Sequence, residues 1–479
     1  MYSIPQTNTD LKRDSRKFKI YNIEFRFEEF AKVLARQAIT ECLESIDNQY
    51  FESKRWKSTH KNHGFKERTL ITSLGVIRFR RRYYVALNKS KGHENYFFVD
   101  RFCDIGKYSR LTAGAMLRLT QMAVEVNASF AAKHALTDVE ISRQTVSNLL
   151  KSFKPIIHDI PRTEEMIERC NLAKETVYIE LDEAHCNLQE KQFQGKRKKN
   201  ALANLGLLHT GHSPDTLRSK RKELENKRYF GGLNVDTGSF CDRIYGYILK
   251  RFKTSDLKRI FVSGDGAKWI NNFASILRDC FRAEDIDVIQ VLDKFHLRKR
   301  LTTIFSGDSQ MINFFFDNLG ELDAGKFKLI ANNFYQKRPN HKCSPEVFRS
   351  HVKYICDNFK FIKNQLHPEY KTSCSMEGHV SHVLASRLTS RPKAFNRASL
   401  EALIQLTIMR ANLHELTAED IIEWRKPVPE EAKQVRSKSA YKMHKRFYDF
   451  NVDLKVMESS NAKMKDFIHK IVSPKWLYS

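Results

Sequence analysis

The sequence predicts the α/β class, with a mixed sheet interrupted by an all-α insertion and preceded by a mostly helical region. Three observations carry that expectation. Short β-branched and aromatic runs at 175–188, 201–209, 229–235, 260–262 and 287–292 have strand length. Helical apolar spacing at 240–252 and 269–277 separates the later runs, an order that needs both antiparallel and parallel pairing. Residues 297 to about 370 keep helical spacing without a convincing strand, and most of the chain up to residue 153 also reads as helix.

In chain order, Phe30, Val33, Leu34, Ala38 and Leu43 recur at helical spacing, so a helix spans about 28–46. Residues 51–92 carry twelve Lys or Arg against Glu52 and Glu67. Within them RTLITSLGVIRFRRRYYV reads as a hairpin turning at Leu74–Gly75, and period-two alternation puts Arg78, Arg80 and Arg82 on one face. Such a ribbon, with Tyr83 and Tyr84 beside it, suits phosphate contact, and a solvated sheet face is its plain alternative. Residues 109–153 follow with the cadence of a helix-turn-helix. Ile141 falls in the turn region, Ser142 caps a second helix, and Arg143, Gln144, Thr145 and Asn148 point outward as types suited to base edges. An ordinary helical hairpin has nearly the same pattern.

The run at 175–188 puts Val177, Ile179 and Leu181 on one face and Tyr178, Glu180 and Asp182 on the other. Asp182 is thus a carboxylate on a strand that otherwise looks central. Ile260, Phe261 and Val262 end in Gly264-Asp265-Gly266, where an acid at the carboxyl end of a strand lies in the usual place for an α/β site. A solvated turn Asp is the bland reading. The flanking glycines are expected to leave room for a phosphate backbone, and Trp269 is expected in the core. The 287–292 run leads into Asp293, His296 and a basic helix. Glu377 opens a segment with Val380, Val383, Leu384 and Leu388 at helical spacing. The tail from 425 to 445 is basic and contains Pro427 and Pro429, suggesting an extended arm before a final helix.

Composition narrows the partners. The 479 residues carry 83 Lys and Arg against 56 Asp and Glu, a net charge of +27, while 41% hydrophobic content fits a folded chain. Charge of that size favours a polyanion. No apolar run approaches the length of about 18 that spans a bilayer, and the N-terminus has no apolar signal core, so nucleic acid is favoured over lipid. The nine cysteines are scattered singly without a C-x-x-C pair, which argues against both a zinc ribbon and a disulfide framework and fits a reducing cytosol.

Asp182, Asp265 and Glu377 stand out by position. Phosphodiester chemistry has a reason to want three such acids: Mg²⁺ prefers hard oxygen ligands, and a pair of ions activates the attacking oxygen and stabilises the leaving one. Four stretches, IELDEAH, SGDGAKWI, VLDKFHLRK and EGHVSHVLASRLTSRP, together with the basic hairpin, resemble an ISLre-type bacterial insertion-sequence transposase, a group long catalogued as an uncharacterised protein family. The resemblance covers most of residues 60–395; an acid more usual in that group is replaced by Ala184. It implies a ribonuclease H-like fold, a DDE triad of Asp182, Asp265 and Glu377 as metal ligands, and Mg²⁺ as cofactor with Mn²⁺ able to substitute. Asp293 and His296 match the spacing of an accessory motif in the related Mutator-like transposases, as a bond anchoring the insertion or as a DNA contact. Glu458 competes as third acid but lacks the surrounding match, and His185, His379 and His382 lie close to the triad in sequence.

The expected function is therefore a DNA transposase that binds the terminal inverted repeats of its element and catalyses metal-dependent cleavage and strand transfer. Its partners would be double-stranded DNA and at least a second copy of itself, with no membrane and no small-molecule substrate, in the cytoplasm at the nucleoid. The alternatives are a ribonuclease H-like nuclease or resolvase, and a non-catalytic, domesticated DNA-binding protein. The expected divisions are an N-terminal helical segment at 1–50, a DNA-binding region at 51–160, a catalytic domain at 173–396 interrupted by the helical insertion 297–370, and a basic helical tail at 397–479.

Overall fold

The computed structural model describes residues 20–88, 93–153, 172–189, 200–216, 218, 222–337, 343–389, 394–413 and 415–424. The chain divides into two compact units, Met1–Ser152 with Leu416–Ser479, and Phe153–Glu415. Residues 154–171, where the expected DNA-binding region gives way to the expected catalytic domain, the arm with Pro427 and Pro429, the final helix and Glu458 lie outside the described residues.

The first unit opens with helix α1 (Ile20–Glu52), longer at both ends than its apolar spacing suggested. It packs on the hairpin of β1 (His60–Thr72) and β2 (Gly75–Ala86), to which β3 (Tyr96–Phe97) adds a third antiparallel strand. Thr72 pairs with Gly75, so the turn is Ser73–Leu74, one residue earlier than expected. Leu43, Leu70, Ile77, Phe79 and Val99 form the core beneath it, because alternation along β2 buries Ile77 and Phe79 and exposes Arg78 and Arg80. After α2 (Phe98–Phe102) come α3 (Ala113–Glu125), α4 (Ala128–His134) and α5 (Arg143–Lys151). Thr112, Asn127 and Ser142 each cap their helix by accepting a bond from an orphan amide. The later helix Ala418–Trp424 packs against α3.

The second unit is built on β4 (Thr176–Asn187), β5 (Asn200–His209), β6 (Arg228–Leu233), β7 (Arg259–Gly264) and β8 (Asp287–Leu292), in the spatial order β6-β5-β4-β7-β8. β5 is antiparallel to β4 and β6, whereas β4, β7 and β8 are parallel. The expected sequence of three strands, helix, strand, helix and strand is what forms: α6 (Thr237–Arg251) precedes β7 and α7 (Lys268–Cys280) follows it. These two helices bury Val177, Ile179, Leu181, Ile260 and Val262 on one face.

Beyond β8 the chain is helical: α8 (Lys294–Ile304), α9 (Ser309–Asp317), α10 (Ala324–Gln336), α11 (Pro345–Asp357) and α12 (Phe359–Lys363) close over their own core of Leu297, Leu301, Phe315, Phe327, Phe348 and Ile355. The chain returns through α13 (Met376–His379), a π-helical stretch Val380–Ala385 and α14 (Ser386–Leu388) to α15 (Arg397–Ala411). Met376, Val380, Leu384 and Ile404 cover the second face of the sheet against Ala184, Cys186 and Leu205. The edge strand β8 is guarded: Asn364 and Gln365 donate to the carbonyls of Gln290 and Leu292 at 2.7 and 2.8 Å. No described helix is long and apolar enough to cross a membrane.

Candidate metal centre and nucleic-acid surface

Alternation along β4 sends Leu181 into the core and turns Glu180 and Asp182 to the opposite face. The parallel pairing of β4 with β7 ends at Leu181 and Gly264, so Asp182 and Asp265 each follow the last pair and sit side by side where the ladder stops. Asp265 Oδ1 accepts from the Ala267 amide at 2.8 Å, and its carbonyl accepts from the Tyr354 hydroxyl. The glycines around it do not leave open room. A Cβ on Gly264 would lie 2.8 Å from the Leu181 carbonyl oxygen and 2.7 Å from Ile270 Cδ1, and Gly266 takes φ +78° beside Asn358 Oδ1. They allow strand, helix and insertion to approach one another. Trp269 packs against the core under α6 and α7, as expected.

Glu377 reaches the same end of the sheet from α13. Asp293 N-caps α8, accepting from the Phe295 amide at 3.0 Å, which places His296 one turn inside that helix. His296 Nε2 then lies 3.7 Å from Asp293, 4.0 Å from Asp182 and 3.8 Å from Glu377. Asp182, His296 and Glu377 each offer a ligand atom within 4.8 Å of the others. Asp265 is not part of that tight group, although its charge bears on Asp182.

Burial raises the Asp182 carboxyl to about 6; the Glu183 amide and His296 oppose the shift, and the charges of Asp265 and Glu377 add to it. Burial raises Asp293 too, opposed by the Phe295 amide and His296. Carboxylates crowded around one imidazole form a donor set suited to a divalent cation, whose charge would offset their mutual repulsion. Of the other histidines, His379 is engaged elsewhere: its Nδ1 meets the Tyr229 hydroxyl at 2.8 Å. His185 is exposed.

In the first unit, Arg78 and Arg80 are exposed on one face of β2. Arg82 shares the face but pairs with the buried Asp47 at 2.7 Å and lies over the rings of Phe51 and Phe65. Arg143, Gln144 and Asn148 are exposed on α5, where Gln144 donates to Asn148 at 2.8 Å. Residues 135–142 join α4 to α5, a longer link than the three or four residues of a helix-turn-helix.

The family model described as Uncharacterised protein family (UPF0236) matches residues 13–426. The chain belongs to UPF0236. A relative of that name in Caldanaerobacter subterraneus subsp. tengcongensis is 28% identical over 414 residues, 86% of this chain and 81% of its own. Another from the same organism is 28% identical over 403 residues, covering 84% of this chain and 79% of its own, and its name joins eleven loci. Among solved structures, the Drosophila P element transposase strand transfer complex is similar at 11% identity and a TM-score of 0.23, over 78% of this chain and 95% of that one.

In this UPF0236 chain, sequence reasoning passed over Glu180, His209 and Ser375, which interlock beneath the site. Glu180 alone carried a signal, as an acid two residues before Asp182 on the same strand face.

Proposed function

We propose that this protein is a DDE-type DNA transposase with a ribonuclease H-like catalytic core, acting on the ends of its own element. The gathering of Asp182, His296 and Glu377, with Asp265 on the neighbouring strand end, carries the reading. These residues come from β4, α8 and α13 and from the exit of β7, yet they meet at one edge of a parallel ladder. A strand order of β6-β5-β4-β7-β8 with β5 alone antiparallel to its neighbours supports the ribonuclease H-like assignment. Relatives named for many loci in one genome fit a sequence that copies itself.

Asp182, Asp265 and Glu377 would hold Mg²⁺. When bound, such ions supply activation of the attacking oxygen and stabilisation of the leaving oxygen in an in-line displacement. Asp182 lies on a central strand and Glu377, half-exposed, on a short helix, and each comes within 4.0 Å of His296. His296 stands among their oxygens and orients them before DNA arrives. The same residues would serve two steps: water attacks phosphorus at the element's end and displaces its 3′-oxygen, leaving a 3′-hydroxyl and a 5′-phosphate, and that 3′-hydroxyl then attacks a target phosphodiester and displaces the target's own 3′-hydroxyl. The exposed Arg78, Arg80, Arg143, Gln144 and Asn148 would hold the element's ends, with phosphate contacts fixing register and α5 reading bases.

The test uses Asp182→Asn, Asp265→Asn and Glu377→Gln separately, with Mg²⁺ and DNA carrying the element's ends. Each variant is expected to lose at least about a hundredfold in cleavage while still binding the ends. Full cleavage by any one would remove that residue from the triad. Products that are nicked but never joined would instead favour a nuclease or resolvase.

A further inference from the structure

Two residues before Asp182, Glu180 is almost completely buried, at 2% exposure. Its carboxylate is fully used. Oε1 accepts from His209 Nε2 at 3.1 Å, and Oε2 accepts from the Ser375 amide at 2.8 Å and the Ser375 hydroxyl at 2.9 Å. His209 Nδ1 accepts from the Gly211 amide at 3.1 Å, which leaves Nε2 as the protonated nitrogen and fixes a neutral tautomer. One carboxylate thereby ties β4, β5 and the residue immediately before α13.

That residue matters because α13 has only four residues and carries Glu377. The other end of α13 is held as well, by the Tyr229 hydroxyl on His379. The approach to it is pinned to the sheet at two points, where Tyr178 donates to the Glu369 carbonyl at 3.1 Å and the Ser263 hydroxyl meets Tyr370 at 3.1 Å. After α13 the chain widens into the π-helical stretch Val380–Ala385, a geometry that recurs at functional sites.

We propose that Glu180 is a positioning residue: acting through Ser375, and held by His209, it sets where Glu377 stands relative to Asp182. This rests on the reading of Glu377 as a metal ligand. Glu180 itself touches neither metal nor DNA. Its replacement by Gln would put an amide N–H₂ against either the His209 or the Ser375 donor, so one bond becomes a clash of donors.

Mn²⁺ binding to the full chain, followed by electron paramagnetic resonance, tests the proposal without any turnover. Glu180→Gln is expected to weaken Mn²⁺ binding roughly 10- to 100-fold, the usual effect of losing a partner that orients a ligand. In a Glu377→Gln background the same change is expected to add less than about twofold, because the two residues act as one unit. Ser375→Ala, which keeps the amide bond, is expected to lose roughly three- to tenfold, and Ser375→Thr to retain binding. Should Glu180→Gln not fold, the Ser375 pair decides. Equal losses in both backgrounds, or no loss from Glu180→Gln or Ser375→Ala, overturn the proposal. Unchanged Mn²⁺ binding in Glu377→Gln alone overturns the metal-centre reading beneath it.

Discussion

A carboxylate buried beside two others leaves a mark on stability that titration can read. The Asp182 carboxyl is raised to about 6 from an ordinary 3.8. Below the lower value both folded and unfolded chains hold the proton, and between the two the folded chain alone keeps it. Metal-free stability from this group is therefore fully present below pH 3.8 and is lost as pH rises from there through 6. Asp182→Asn, which cannot ionise, is expected to melt like the parent near pH 4 and to be more stable at pH 8 by up to about 3 kcal/mol. Thermal melts in chelator across that range would show it; a variant destabilised at pH 8 would contradict the burial argument. Gly264 is a second sensitive residue. Its alanine variant forces a methyl against the Leu181 carbonyl and Ile270, so a loss of about 1–3 kcal/mol is expected in denaturant titration.

At the scale of elements, the basic ribbon separates two kinds of arginine that look identical in sequence. Arg80 is exposed, whereas Arg82 neutralises Asp47, whose side chain is 1% exposed. Arg80→Ala is expected to lower the slope of log affinity for DNA against log salt by about one and, losing only its stack 4.5 Å over the Phe65 ring, to cost no more than about 1 kcal/mol of stability. Arg82→Ala should do the reverse and cost about 3 kcal/mol, because it strands a buried charge. Paired salt titrations and melts distinguish the two outcomes. Alternation predicted the shared face correctly and could not predict the pairing, since Asp47 belongs to α1 and lies 35 residues away. The same limit explains the candidate site. Strand periodicity made Asp182 visible, a run ending in Gly-Asp-Gly made Asp265 visible, and helical spacing made Glu377 visible. Glu180 escaped because its meaning depends on His209, 29 residues away, and on Ser375, 195 residues away. The glycines differ from expectation for a related reason: besides Ile270 of the helix that follows, what fills the space beside them is Leu181 on β4, Leu292 on β8 and Asn358 between α11 and α12, all distant in sequence.

For the molecule as a whole, the proposed function makes binding and cutting depend on different residues, so the two would be separable. A full-length Glu377→Gln chain keeps Arg78, Arg80 and α5, and is expected to occupy element ends with unchanged affinity. Co-expressed with the parent, it should depress transposition in proportion to its share of the protein, as measured by excision counts. Undiminished excision at a large excess of the variant would mean that the ends are recognised elsewhere. The helices α8–α12 between Asp265 and Glu377 also set an order in time. A ribosome adding about 5–20 residues per second has made α5 and both aspartates roughly five seconds or more before it reaches Glu377. On the proposed function, the residues that would contact DNA are thus made well before the last of the three proposed metal ligands, and the helix Ala418–Trp424 that packs against α3 is made after all of them. Under that reading both compact units would be completed only near the end of synthesis, so that binding and cutting would become available together.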